Sequence, residues 1–70
     1  MKQLLSTMAG TVFTIGVNAG DDVTAGQSVM VLESMKMEIP VEAETAGKVA
    51  TVNAQVGDFV NEGDVLLTFE

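Results

Sequence analysis

Cysteine, histidine, arginine, tyrosine and tryptophan are all missing from this chain. Without histidine it lacks the side chain that most often moves protons near neutral pH. Without cysteine it has neither a thiolate nucleophile nor a disulfide staple, a usage that fits a cytoplasmic chain. The two absences together remove the usual soft-metal ligands, and the missing arginine removes the bidentate phosphate clamp. Acidic residues remain, but no pair of them sits in a context that would desolvate a carboxyl group. Neither a catalytic residue nor a metal site is expected. Apolar runs are short, and none approaches the roughly 20 residues of a membrane span. The start, Met1-Lys2-Gln3-Leu4-Leu5, turns polar too soon for a signal peptide. Three basic residues stand against ten acidic ones, a net charge of −7, which repels nucleic-acid phosphates. No nucleic-acid or membrane partner is therefore expected.

What is present fits a small β domain. Seventy residues make one domain with a small core and little room for a substrate pocket and lid. A single domain over residues 1–70 is expected, and Met1 points to a standalone chain. Valine, threonine, isoleucine and phenylalanine fill short runs broken by glycine turns, with no helical apolar stripe. Strands are predicted over residues 2–7, 11–17, 28–33, 37–43, 48–53 and 64–69, with short pieces around Val23 and Val60. Gly20-Asp21 and Gly57-Asp58 are matched turns, where glycine supplies positive φ and aspartate bonds the backbone. Gly26 and Gly63 mark a second pair of turns. Gly10 and Gly47 open two long strands and allow close backbone approach. Pro40 cannot donate to a ladder, so its strand is an edge or is bulged there.

The chain is also a duplication. Residues 46–70 match residues 9–33 without a gap at a constant offset of 37 (Ala9 to Ala46). Ala9/Ala46, Gly10/Gly47, Val12/Val49, Thr14/Thr51, Gly20/Gly57, Asp21/Asp58, Val23/Val60, Gly26/Gly63 and Glu33/Glu70 are identical pairs. Ile15/Val52, Val29/Leu66 and Met30/Leu67 are apolar in both copies. A repeated four-strand unit that closes on itself gives an all-β, flattened β-barrel of two antiparallel sheets related by a pseudo-two-fold axis. The expected core is Val12, Ile15, Val17, Val23, Val29, Val31, Ile39, Val49, Val52, Val60, Leu66 and Phe69. The connecting residues 34–45 have no counterpart after Glu70.

That unrepeated connection holds Glu33-Ser34-Met35-Lys36-Met37-Glu38, over residues 33–38. A strand, a tight turn and a returning strand make a β-hairpin whose tip presents Lys36. Ser34 can bond a nearby backbone amide and hold the turn. Lys2 lies near a frayable end and Lys48 in a strand of the second copy, so Lys36 alone combines a turn tip with large soft neighbours. As isolated features, an exposed lysine is most often a solubilising turn residue and a methionine a flexible core filler. The acidic neighbours Glu33, Glu38, Glu42 and Glu44 read equally well as a solvated face. The position of Met-Lys-Met, once, at the pseudo-symmetric middle of a duplicated chain, outweighs those readings.

Glu33-Ser34-Met35-Lys36-Met37 resembles the attachment motif of biotin carboxyl carrier domains, within the biotinyl/lipoyl attachment domain family. Met8-Ala9-Gly10-Thr11-Val12 resembles that family's first strand. Ala19-Gly20-Asp21 with Gly26 resembles its first loop, and the run from Val56 to Asp64 its last. The resemblance covers nearly the whole chain and implies a barrel-sandwich hybrid fold. It implies covalent biotin on the Lys36 amine, with Met35, Met37, Glu33 and Ser34 read by a biotin protein ligase. It further implies a non-catalytic carrier that moves a carboxyl group between a biotin carboxylase and a carboxyltransferase. Ser34 departs from the alanine common in the family, and Thr7 stands where a proline is usual. No insertion corresponds to the protruding thumb of some bacterial carriers. A lipoyl carrier of a 2-oxo acid dehydrogenase or glycine cleavage system, or a dual biotin/lipoyl attachment protein, is the alternative. Met35 and Met37 argue against it, because lipoyl domains usually place aspartate before the lysine and a small residue after it. A purely structural connector is the third reading.

Overall fold

A computed structural model describes residues 2–70; Met1 lies outside the described residues. Among the described residues eight strands follow one another without a helix: β1 (Gln3–Leu5), β2 (Gly10–Ile15), β3 (Asp22–Val23), β4 (Ser28–Ser34), β5 (Met37–Glu42), β6 (Gly47–Val52), β7 (Phe59–Val60) and β8 (Val65–Phe69). They form two antiparallel four-stranded sheets, ordered β1-β8-β6-β3 and β5-β4-β2-β7. Each sheet draws strands from both copies of the sequence repeat, so neither copy has a sheet of its own.

The turns follow from glycine. Gly20, Gly26, Gly57 and Gly63 hold φ between 86 and 96°, each at the third position of a turn closed by backbone bonds such as Asp21 N–H to Asn18 O at 3.0 Å. That is the type II pattern, which needs positive φ there. A side chain locks each turn from its last position: Asp21, Gln27, Asp58 and Asp64 accept from the N–H three residues earlier at 2.8–3.0 Å. The loops then tie one copy to the other. Gly20 N–H donates to Val49 O at 2.7 Å, and Gly57 N–H donates to Val12 O at 2.9 Å. Val49 N–H and Val12 N–H return bonds to Asp21 O and Asp58 O.

The offset of 37 extends further than the identical residues do. Leu4 faces Leu67 in the β1–β8 ladder just as Val41 faces Met30 in the β4–β5 ladder. Residues 39–45 thus have their counterpart before the first copy, in residues 2–8. The unmatched stretch shrinks to residues 34–38. Identity could not show this, because the matched strands share shape and pairing rather than residues.

The buried core contains Val12, Val17, Val23, Val29, Val49, Val60, Leu66 and Phe69, all expected. Val31 and Ile39 are only partly buried, and Ile15 and Val52 pack against the core from its margin. Leu4, Met30, Leu32, Val41, Ala43, Ala54 and Leu67 join the core instead. For Val31, Leu32 and Met30 a β-bulge is the cause. Ser28 pairs Glu42 but Met30 pairs Val41, so Val29 is the extra residue. Val29 and Met30 both turn inward, and the alternation beyond them flips, which places Leu32 inside and Val31 outside. Leu66 repeats this in β8, where Leu4 pairs Leu67 and Leu5 pairs Val65.

The ladders leave β1, β3, β5 and β7 as edges rather than running continuously round a barrel. Three of these are two or three residues long. The longer one, β5, carries Pro40 opposite Val31. Short strands and an edge proline both blunt the tendency to pair with another chain.

Candidate functional site

The β4–β5 ladder runs to Ser34↔Met37, which leaves two residues, Met35 and Lys36, to reverse the chain. Both take positive φ, 53° and 65°, and they are the only non-glycine residues to do so among those described. Positive φ at both central positions is the type I′ pattern, which matches the twist of the flanking strands but favours Asn-Gly. An L-residue in this region costs roughly 1–2 kcal/mol. The core residues Met30, Leu32 and Val41 fix the register of the ladder, so the strands impose the turn on a sequence that does not favour it.

The turn holds its side chains off the barrel. Met35 is 92% exposed and Met37 63%, whereas Met30 is 1%. Lys36 is exposed and makes no hydrogen bond among the described residues. The other two lysines differ: Lys2 lies beside β1, and Lys48 sits mid-sheet directly across from Asp22. Ser34 is half-buried at the end of β4. Its hydroxyl has no hydrogen-bond partner among the described residues, so the turn is held by the ladder and not by that side chain.

Glu33 pairs Glu38 in the ladder one step behind the tip, and Glu33 also faces Thr11, which in turn faces Phe59. Glu38, Glu33, Thr11 and Phe59 therefore line one outer row across the sheet. Directly opposed carboxylates repel, so this row favours a cationic neighbour from outside. Sequence reading singled out Glu33 but missed that Glu38 and Phe59 share its row. The pairing of Glu33 with Glu38 follows once the loop is known to hold two residues; Phe59 carries no comparable signal. A separate open groove of about 670 Å³ lies along β1, lined by Leu4, Leu5, Ser6 and Phe69 among others. It includes none of the hairpin residues. Among the described residues no cluster of acidic side chains is arranged to hold a metal ion, and no helix is long and apolar enough to cross a membrane.

Two small interlocked sheets with one lysine on an unrepeated hairpin define the class of an attachment domain. The chain belongs to the biotin/lipoyl attachment family: the family model described as "Biotin-requiring enzyme" matches residues 2–69. It is 57% identical over 60 residues to the biotin/lipoyl attachment protein of Bacillus subtilis (strain 168), covering 86% of this chain and 82% of that one. It is 43% identical over 67 residues to the mitochondrial propionyl-CoA carboxylase alpha chain of Homo sapiens, covering 96% of this chain but 9% of the relative. Among solved structures, that of the Kluyveromyces lactis urea carboxylase superposes with a TM-score of 0.89 at 33% identity, covering 99% of this chain and 6% of the larger one. The chain thus spans most of one relative and under a tenth of the carboxylases it resembles.

Proposed function

We propose that this chain is a biotin carboxyl carrier that bears biotin on Lys36 and works in the cytoplasm as the mobile component of a biotin-dependent carboxylase. The observation that carries the reading is the hairpin itself. Lys36 is a fully presented amine at the tip of the one segment that the chain does not repeat. Two relatives whose whole chains are carboxylases contain a matching domain, which favours biotin over lipoate. The Bacillus relative's name admits both cofactors, so lipoylation is a measurable alternative outcome.

The residues fit an amide-linked group. The Lys36 stem leaves the turn into solvent, and no neighbouring side chain claims its nitrogen. Acylating an amine needs an activated acyl group and a base to receive the proton, and the chain has no histidine to serve as that base. The ligase must therefore supply both the activated acyl group and the base. Biotin, once attached, supplies a ring nitrogen that accepts and releases a carboxyl group. The domain contributes presentation and reach: tethering holds the reactive group at an effective concentration on the order of mM near each active site. Met35 and Met37 give the ligase two flexible apolar contacts that displace little bound structure, and Glu33 and Ser34 fix the approach on one side.

Intact-mass measurement after co-expression with a biotin ligase, with fragmentation to locate the adduct, tests this reading. One biotinyl group on Lys36 is expected. Lys36→Arg should stay folded and take up none, while Lys48→Arg is labelled as wild type is. Labelling of Lys36→Arg would overturn the assignment. An adduct formed only by a lipoyl ligase would move the chain to the second reading.

A further inference from the structure

The outer face of the β5-β4-β2-β7 sheet carries more exposed large apolar residues than the matching face of the other sheet, where Leu5, opposite in the repeat to Glu42, is the exception. Phe59 is 64% exposed and Phe13 45%, and Val56, in the turn that leads into β7, is 64% exposed. Phe59 faces Thr11, so Phe13, two residues along β2, is its diagonal neighbour on the same face. The register slips between Val12 and Thr14, which leaves Phe13 as an extra residue bulged outward. Thr14, next to that bulge, pairs Val31, and Val31 pairs Pro40, so the row continues across the sheet. At the offset of 37, the counterparts of Phe13, Val31, Pro40, Val56 and Phe59 are Ala50, Thr68, Gln3, Ala19 and Asp22. The same backbone positions thus carry small or polar side chains in the other copy, so the fold does not require the apolar ones. After the hairpin, this face is the second feature that the chain has once.

We infer that this face is the docking surface for the biotin protein ligase, an inference that rests on the proposed attachment at Lys36. Reach decides between the possible partners. An unmodified lysine has only a four-carbon stem, so the ligase active site must come within one side-chain length of the tip. A stable protein interface covers about 800 Å² on each partner, far more than a two-residue tip offers. It must spread back along the sheet, where each residue retreats about 3.3 Å from the tip. The Glu38-Glu33-Thr11-Phe59 row is one residue behind Ser34, and the Pro40-Val31-Phe13 row roughly 10 Å behind it. Both rows fall inside such a footprint. A carrier already loaded meets its later partners through a longer arm and needs less of this surface. Glu33 and Glu38 at the tip end and Glu42 further back edge the apolar rows, so the complementary ligase surface has an apolar centre and a basic rim.

The repeat supplies a variant that should fold. Phe13→Ala/Val56→Ala/Phe59→Asp puts the residues of the other copy on the lysine sheet. Steady-state biotinylation with purified ligase should show KM raised about tenfold or more, as loss of clustered aromatic anchors does, with kcat within about twofold because the hairpin is untouched. Thermal unfolding checks that the fold is kept. Phe59→Asn alone should show a smaller rise in KM and separates lost contact from added charge. Wild-type KM should also rise with ionic strength. Wild-type labelling with a variant kcat/KM within about twofold of it overturns the docking surface and leaves the carrier reading intact. So does a wild-type dimer that the triple variant breaks without slowing biotinylation, which would give the face to a second copy of this chain. Absence of any labelling of wild type overturns the carrier reading itself.

Discussion

The two sheets are alike inside and unlike outside. Inward positions agree in kind through the repeat: Val12 with Val49, Met30 with Leu67, Val29 with Leu66 and Val23 with Val60, all buried. The outer faces diverge. On the β1-β8-β6-β3 sheet, Thr51 and Thr68 hydroxyls both donate to Asn53 Oδ1 at 3.0 Å, a small polar lattice in contact with water. The lysine sheet has Thr14, Val31 and Gly16 at those positions and cannot build it. Beside them it shows two phenylalanines and an opposed pair of glutamates. Duplication therefore maintains the core, where packing is demanding, and leaves the surface free to differ. Function is read from the positions at which the copies disagree.

If the interiors are equivalent, matched core truncations should cost the same. Met30→Ala and Leu67→Ala should each destabilise by about 2–5 kcal/mol, the largest effect expected. Because each copy's loops bond the other copy's strands, both variants should lose the fold in one cooperative step rather than by halves. Denaturant melts followed by two probes would check this. A variant that leaves half the sheet signal intact would break the equivalence.

A sharper difference is expected at the two strand-opening glycines. A methyl on Gly10 would meet the Glu33 carbonyl oxygen at 3.0 Å, whereas one on Gly47 would meet the Phe69 ring at 3.3 Å. A ring edge can shift and a ladder carbonyl cannot do so without moving the hairpin strand. Gly10→Ala should cost about 1–3 kcal/mol and Gly47→Ala visibly less. Equal losses in a pair of melting curves would show that Phe69 is as immovable as backbone.

Much of this was legible in the sequence, and the failures have physical causes. The strands, the four glycine turns and the edge position of Pro40 follow from local chemistry: glycine for positive φ, and no amide hydrogen on proline. The core assignment failed at Val31 because strict alternation holds only in an unbulged strand, and an extra residue leaves no mark on composition; Ile39 does alternate inward, across from Leu32, and is only partly buried because it lies nearer the hairpin end of the sheet. The repeat looked shorter than it is because Leu4 and Val41 are equivalent in pairing and different in identity. Lys36 stood out because its motif is unrepeated. The row shared by Glu33, Glu38 and Phe59 needs three ladders in register, which no local signal encodes.

The hairpin is also where the sequence conflicts with its own backbone. Replacing Met35-Lys36 by Asn-Gly suits positive φ at both residues. It should stabilise by about 1–2 kcal/mol, a rise of roughly 4–8 °C in Tm per kcal/mol for a domain of this size, while removing the amine proposed to carry biotin. No counterpart in the other copy offers this gain, since its positive-φ positions are already glycine. An unchanged Tm would mean that the turn is not strained.

The smallest stability effect and a large functional one should coincide at Met37. It begins β5, pairs with Ser34 and is 63% exposed, so it has little core to fill. Met37→Ala gives up some strand preference, a few tenths of a kcal/mol, and should move stability by no more than about 0.5 kcal/mol. If Lys36 bears the biotin as proposed, the initial rate of biotinylation should nevertheless fall, because Met37 flanks that amine. A large drop in Tm with normal labelling would show instead that this methionine belongs to the barrel and that the boundary between repeated scaffold and unrepeated site lies closer to Lys36.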